Sequence, residues 1–178
     1  MPSPGESRLV SRIVLEELKM PFKRIICPVD FSNSSLAAFE TAVEMAHRDS
    51  AKLLVLHVIE GRPVVSEWFP THSLGEMTVR MEEKAHQAVN TLLTCAAPKT
   101  EGLAVATDIV NGVPFVEILK QATTWKADLI VLGAIGAASV DQIIFGSTAE
   151  RVLKGAACSV LVVRQGQLNL FPLGGEVS

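Results

Sequence analysis

The feature that most constrains this chain is a regular alternation of short apolar runs with segments of helical period. Lys52–Ile59 (KLLVLHVI) is almost continuously apolar, as a strand covered on both faces must be. Phe22–Asp30 (FKRIICPVD) is a second run of strand length that stops at a proline-containing turn. Leu103–Val110, Asp128–Leu132 and Ser159–Val163 read as three more strands. Between them, Ser32–Arg48 carries Leu36, Phe39, Val43 and Ala46 at helical spacing, with Ser32, Ser34 and Ser35 as candidate caps at its start. A loop with Gly61, Pro63 and Pro70 leads to a long helix over Leu74–Ala97. Asn111-Gly112 ends the third strand, Pro114 opens a helix over Phe115–Trp125, and Ser147–Lys154 forms the last helix.

Strands alternating with helices define an α/β domain with one doubly wound, five-stranded parallel sheet and helices on both faces. Right-handed crossovers leave few topologies, and strand order 3-2-1-4-5 is the expected one. In that order the chain reverses its winding between the first and fourth strands. Ligands of such sheets bind beyond the carboxyl ends of the strands at that switch point. The rule singles out Pro28-Val29-Asp30 and the stretch from Gly133 onward.

The switch-point residues suit a small anion. After the fourth strand come Gly133-Ala134-Ile135-Gly136, nine further residues, and then Gly146-Ser147-Thr148. Glycines there let backbone amides approach a phosphate without Cβ interference. Gly146-Ser147 also opens a helix whose first N–H groups lack intrahelical partners and carry partial positive charge. A plainer reading stands beside this one. Ser147-Thr148-Ala149-Glu150 fits the S-x-x-E capping box, in which Ser147 accepts a backbone N–H, and Gly133 and Gly136 serve as ordinary loop glycines. Asp30 divides between capping the turn and accepting hydrogen bonds from a ribose. Val58, at the end of the second strand, divides between core packing and an apolar surface for an adenine ring. Gly-Lys-Ser/Thr does not occur, and no G-x-G-x-x-G follows the first strand.

Charge decides which anions are plausible. With 16 Lys+Arg against 19 Asp+Glu the net charge is −3, which argues against a protein that wraps nucleic acid. A site for one small anion survives, because backbone N–H groups can build it. No apolar stretch approaches the roughly 18–20 residues that cross a bilayer, and MPSPGESRLVSR lacks the pattern of a secretory signal. Cys27, Cys95 and Cys158 form no metal-ligating spacing, and Cys27 and Cys158 read as buried inert thiols. The expectation is a cytoplasmic, reduced protein that contacts neither membrane nor nucleic acid. His57 reads as a satisfied core histidine, and no Ser/His/Asp order, G-x-S-x-G elbow or carboxylate cluster marks a catalytic centre. Three segments are expected: an N-terminal extension over 1–20 with an amphipathic helical pattern, a domain over 21–165, and a tail over 166–178. Val160–Val163 forms an apolar edge strand without proline or inward lysine, which invites pairing into a homodimer.

Gly133, Gly136, Gly146 and Ser147 meet the pattern G-x2-G-x9-G-[ST], which resembles that of the universal stress protein family. The resemblance spans about Phe22 to Arg164. It takes in Ile-Ile-Cys-Pro-Val-Asp-Phe-Ser, Leu-His-Val-Ile, Gly112-Val113-Pro114 and the closing Cys-Ser-Val-Leu-Val-Val-Arg. It implies an adenine-nucleotide alpha hydrolase-like fold that binds ATP in the family's nucleotide-binding branch, usually as a dimer. Asp30 would contact ribose, and Pro28, Val29 and Val58 would border the adenine. Gly133, Gly136, Ala137, Gly146, Ser147 and Thr148 would surround the phosphates. Ala137 and Ile135 stand where the family often has basic or polar residues. The triphosphate would therefore lean on backbone amides and Ser139, with a metal ion such as Mg2+ supplying charge. The function implied is that of a stress-responsive nucleotide sensor with an unknown protein partner. The alternatives are a nucleotide-independent dimeric interaction protein of the same fold and a slow ATP hydrolase.

Overall fold

A computed structural model describes residues 21–61, 71–135 and 145–164, the side chains of 71–78 excepted. The expected extension over 1–20, the tail over 166–178, and Gly136, Ala137 and Ser139 of the glycine loop all lie outside the described residues. Five strands alternate with four described helices: β1 (Arg24–Pro28), α1 (Asn33–Asp49), β2 (Lys52–Ile59), α2 (Thr71–Thr100), β3 (Val105–Asn111), α3 (Pro114–Thr124), β4 (Leu129–Gly133), α4 (Ser147–Gly155) and β5 (Ser159–Val163). All pairings are parallel and the sheet order is β3-β2-β1-β4-β5, as the alternation predicts.

The sheet divides the core in two because successive strand residues face opposite sides. Ile25 and Cys27 of β1, with Val29 just beyond it, meet Ala38, Phe39, Ala42, Val43 and Ala46 of α1 and Ala96 of α2. On the other face, Ile26, Leu54, Leu56 and Ile130 meet Ile118 and Ala122 of α3 and Ala149 and Val152 of α4. Central strands are therefore buried on both sides, which accounts for the nearly continuous apolar run of β2.

Local chemistry sets most ends. Ser32 is the N-cap of α1 and accepts from the Ser35 amide at 3.2 Å, as the serine cluster predicts. Ser50, in the left-handed region at φ 53°, closes the same helix. Helix α2 runs past the predicted stop at Ala97 to Thr100, carrying Pro98 within its last turn. A proline there forfeits one backbone hydrogen bond, and the Thr100 hydroxyl returns to the Ala96 carbonyl at 3.2 Å.

Candidate functional site

Two loops meet where the winding reverses. After β1, the chain turns through Val29, Asp30 and Phe31, the last with φ 63°, before Ser32 caps α1. The Asp30 carboxylate accepts from the Ser32 amide (3.0 Å) and hydroxyl (2.6 Å), so its oxygen is oriented by the turn itself. The Ser35 hydroxyl receives the Asp30 amide at 3.3 Å. His57 hydrogen-bonds through Nδ1 to the Val29 carbonyl at 2.7 Å, with its ring centroid 4.9 Å from that of Phe31. This is a satisfied histidine bracing the turn, in line with its expected structural role.

The second loop leaves β4 through a tight passage. A Cβ at Gly133 would sit 2.7 Å from the Ser34 carbonyl carbon, the Ser34 hydroxyl and the Ser35 nitrogen. Glycine at 133 is thus required by the close approach of α1 to the end of β4. Beyond it, Ala134 donates to the Val163 carbonyl at 2.8 Å and accepts the Gly146 amide at 2.7 Å. The Ser34 hydroxyl donates to the Ile135 carbonyl. The start and finish of the glycine-bearing segment are pinned together at the foot of α4.

Helix α4 begins one residue earlier than a capping box requires. Gly146 is its N-cap, with extended backbone (φ −66°, ψ 156°) and no side chain to accept an N–H. Ser147 occupies the first helical position, and Glu150 pairs with Lys154 at 2.6 Å instead of folding back. The capping-box reading of Ser147 therefore fails. The Gly146–Ala134 bond fixes residue 146 as the last extended one, and the helix start carries no serine cap of its own.

Between the loops lies a cavity of about 350 Å³. Pro28, Val29, Leu56, Val58, Ile118 and Leu132 give it an apolar wall, and Gly146, Ser147 and Thr148 bring the α4 N-terminus to it. Asp30 and Glu60 are the carboxylates of its lining, which includes no lysine or arginine among the described residues. Of the residues singled out from sequence, Pro28, Val29, Asp30, Val58, Gly133, Gly146, Ser147 and Thr148 all line this space. Glu60, Pro114 and Ile118 escaped notice as lining residues. Glu60 follows the carboxyl end of β2 and Pro114 opens the helix after β3, so the strand-end rule could have found both. No group of three or more His, Cys, Asp or Glu able to hold a metal occurs among the described residues. No described helix is long and apolar enough to cross a membrane.

A doubly wound parallel sheet with a half-apolar cavity and an uncapped helix N-terminus at its switch point is the architecture in which open α/β proteins place their small-ligand sites. The universal stress protein family model matches residues 21–164. The chain belongs to the universal stress protein family. It is 34% identical over 145 residues to universal stress protein MJ0531 of Methanocaldococcus jannaschii, covering 81% of this chain and 83% of that protein. Among solved structures, it resembles universal stress protein UspA from Lactobacillus plantarum at 31% identity and TM-score 0.72, covering 82% of this chain and 100% of that one. It also resembles protein MJ0577 of Methanocaldococcus jannaschii at 27% identity and TM-score 0.73, covering 83% and 99%.

Proposed function

We propose that this protein binds adenine nucleotides, ATP among them, in the switch-point cavity and acts in the cytoplasm as a stress-response regulator. The observation that carries this reading is the arrangement within one cavity of an apolar wall, a carboxylate and an uncapped helix start. The base lies against Val29, Val58 and their neighbours, the sugar hydroxyls donate to Asp30, and the phosphates accept from the first amides of α4 and the hydroxyls of Ser147 and Thr148. Structures of other universal stress proteins of this fold in complex with cAMP and with dAMP support an adenine nucleotide as the ligand.

The lining's charge bears on the phosphate chain. Two carboxylates and no lysine or arginine among the described lining residues favour a triphosphate accompanied by a divalent cation. Mg2+ suits that donor set, since it binds through one or two carboxylates together with substrate phosphates. Gly136, Ala137 and Ser139 would complete the cradle through backbone amides and a hydroxyl, since no basic side chain occurs from Gly133 to Thr148. Two copies would associate along β5, the sheet edge formed by Ser159–Val163.

Titration calorimetry with AMP, ADP and ATP, with and without Mg2+, tests the reading. The expected result is saturable binding of adenine nucleotides, with ATP strengthened by Mg2+. A purified protein that binds none of them overturns it.

A further inference from the structure

The two halves of the cavity are joined by neighbouring serine hydroxyls and one stretch of backbone, through residues that do not all face the ligand. The Ser32 hydroxyl donates to Asp30 at 2.6 Å and lies 3.4 Å from the Ser34 hydroxyl. Ser34, buried and absent from the cavity wall, donates to the Ile135 carbonyl. One peptide back, the Ala134 carbonyl holds the Gly146 amide at 2.7 Å, and Gly146 is the N-cap of α4. The carboxylate at the sugar end is thereby linked to the helix start at the phosphate end. Gly133 lets the run close, because any Cβ there would displace Ser34.

The Ser32 hydroxyl has one proton and three oxygens in reach: the Asp30 carboxylate at 2.6 Å, and the Ser34 hydroxyl and the Ile135 carbonyl each at 3.4 Å. When ligand hydroxyls donate to Asp30, the carboxylate competes less well for that proton, and Ser32 can turn toward Ile135, where Ser34 already donates. Two donors on one carbonyl hold it more firmly than one, and a carbonyl has lone pairs for both. Engagement at the sugar would tighten the segment that positions α4.

We propose that Ser34, together with Ser32, is a positioning residue that couples sugar recognition at Asp30 to phosphate recognition at the start of α4. This rests on the nucleotide-binding reading above and adds a residue that touches no ligand. Its consequence is that a phosphate strengthens binding more when Asp30 is intact than when it is not.

Calorimetry with adenosine and with AMP on the 178-residue chain, its Ser34→Ala and Asp30→Asn variants and the double variant tests this. Ser34→Ala is expected to weaken AMP about tenfold and adenosine by less than about twofold, the scale of one lost hydrogen bond felt at one end only. Asp30→Asn is expected to weaken both, with a larger loss for AMP, and that excess disappears in the Ser34→Ala background. Ser34→Cys, with a similar shape and a weaker donor, falls between Ser and Ala and serves if the alanine variant folds poorly. Equal losses for adenosine and AMP on Ser34→Ala, no loss for either, or strictly additive effects in the double variant overturn the coupling while leaving nucleotide binding intact. Failure of the unmutated protein to bind either ligand overturns the functional reading and the coupling with it.

Discussion

Gly133 shows how far a single residue's role depends on its surroundings. As a sequence position it suits a phosphate-approaching turn, and in the structure it borders the cavity. Yet its missing Cβ is accounted for by Ser34 and Ser35, whose backbone atoms lie 2.7 Å from where that carbon would be. Gly133→Ala is expected to destabilise the fold by about 1–3 kcal/mol, read from urea denaturation, because backbone cannot yield as a flexible side chain would. An unchanged midpoint would show that α1 shifts freely. The cysteines separate chiefly by burial. Burial raises the Cys27 thiol well above its ordinary range, and it raises half-buried Cys158 with a further contribution from the charge of Asp128. The thiolate is the reactive form, so raising a thiol lowers its reactivity at neutral pH. In the native protein, Cys95, which is exposed, is expected to react first with a thiol reagent, Cys158 more slowly, and Cys27 only after unfolding. Mass spectrometry of partly labelled protein reads the order.

Among the elements, α4 carries the most information. Its sequence, with serine three residues before glutamate, announces a side-chain cap; its structure begins at Gly146 and has none. The difference comes from a contact 12 residues away in the chain, the Gly146 amide on the Ala134 carbonyl, which no local pattern encodes. An uncapped start is what an anion needs. Proline is tolerated at the first helical position, as Pro114 shows at α3. Ser147→Pro should therefore preserve stability to within about 0.5 kcal/mol while removing one N–H and one hydroxyl from the cavity. AMP binding is expected to weaken about tenfold relative to Ser147→Ala, while adenosine binding changes little. Comparable losses for the two ligands would place the phosphate elsewhere. Helix α2 teaches a smaller lesson: it outruns its expected stop at Ala97 and takes in Pro98, because losing a single bond near a terminus is a modest cost against the packing of Ala96 on the sheet.

At the scale of the whole molecule, the central strands bear the fold. Ile130 of β4 is wholly buried between β1 and β5, against α3 and α4 on its face. Ile130→Ala is expected to cost about 2–5 kcal/mol in chemical denaturation, since both neighbouring strands limit how far the gap can collapse. The sheet ends at β5, whose residues are only half-buried beyond Ser159. Light scattering at micromolar concentration is expected to give the mass of two chains, and a strict monomer would rule out pairing through that edge.

Much of this was legible in the residues. Two-sided burial favours apolar residues along central parallel strands, so KLLVLHVI declares its own position, and alternation with helices then leaves few windings. The strand-end rule follows from that winding and found eight of the residues that line the cavity. Tertiary structure alone decided which role each residue plays. Gly133 serves packing as well as the cavity, Ser147 opens its helix without capping it, and Ser34 bonds across 101 residues to Ile135. Periodicity reports which face of an element is covered, because burial repeats with the backbone. It is silent on which distant atom fills a given hydrogen bond, because that depends on how two loops come to lie against each other once the sheet has formed.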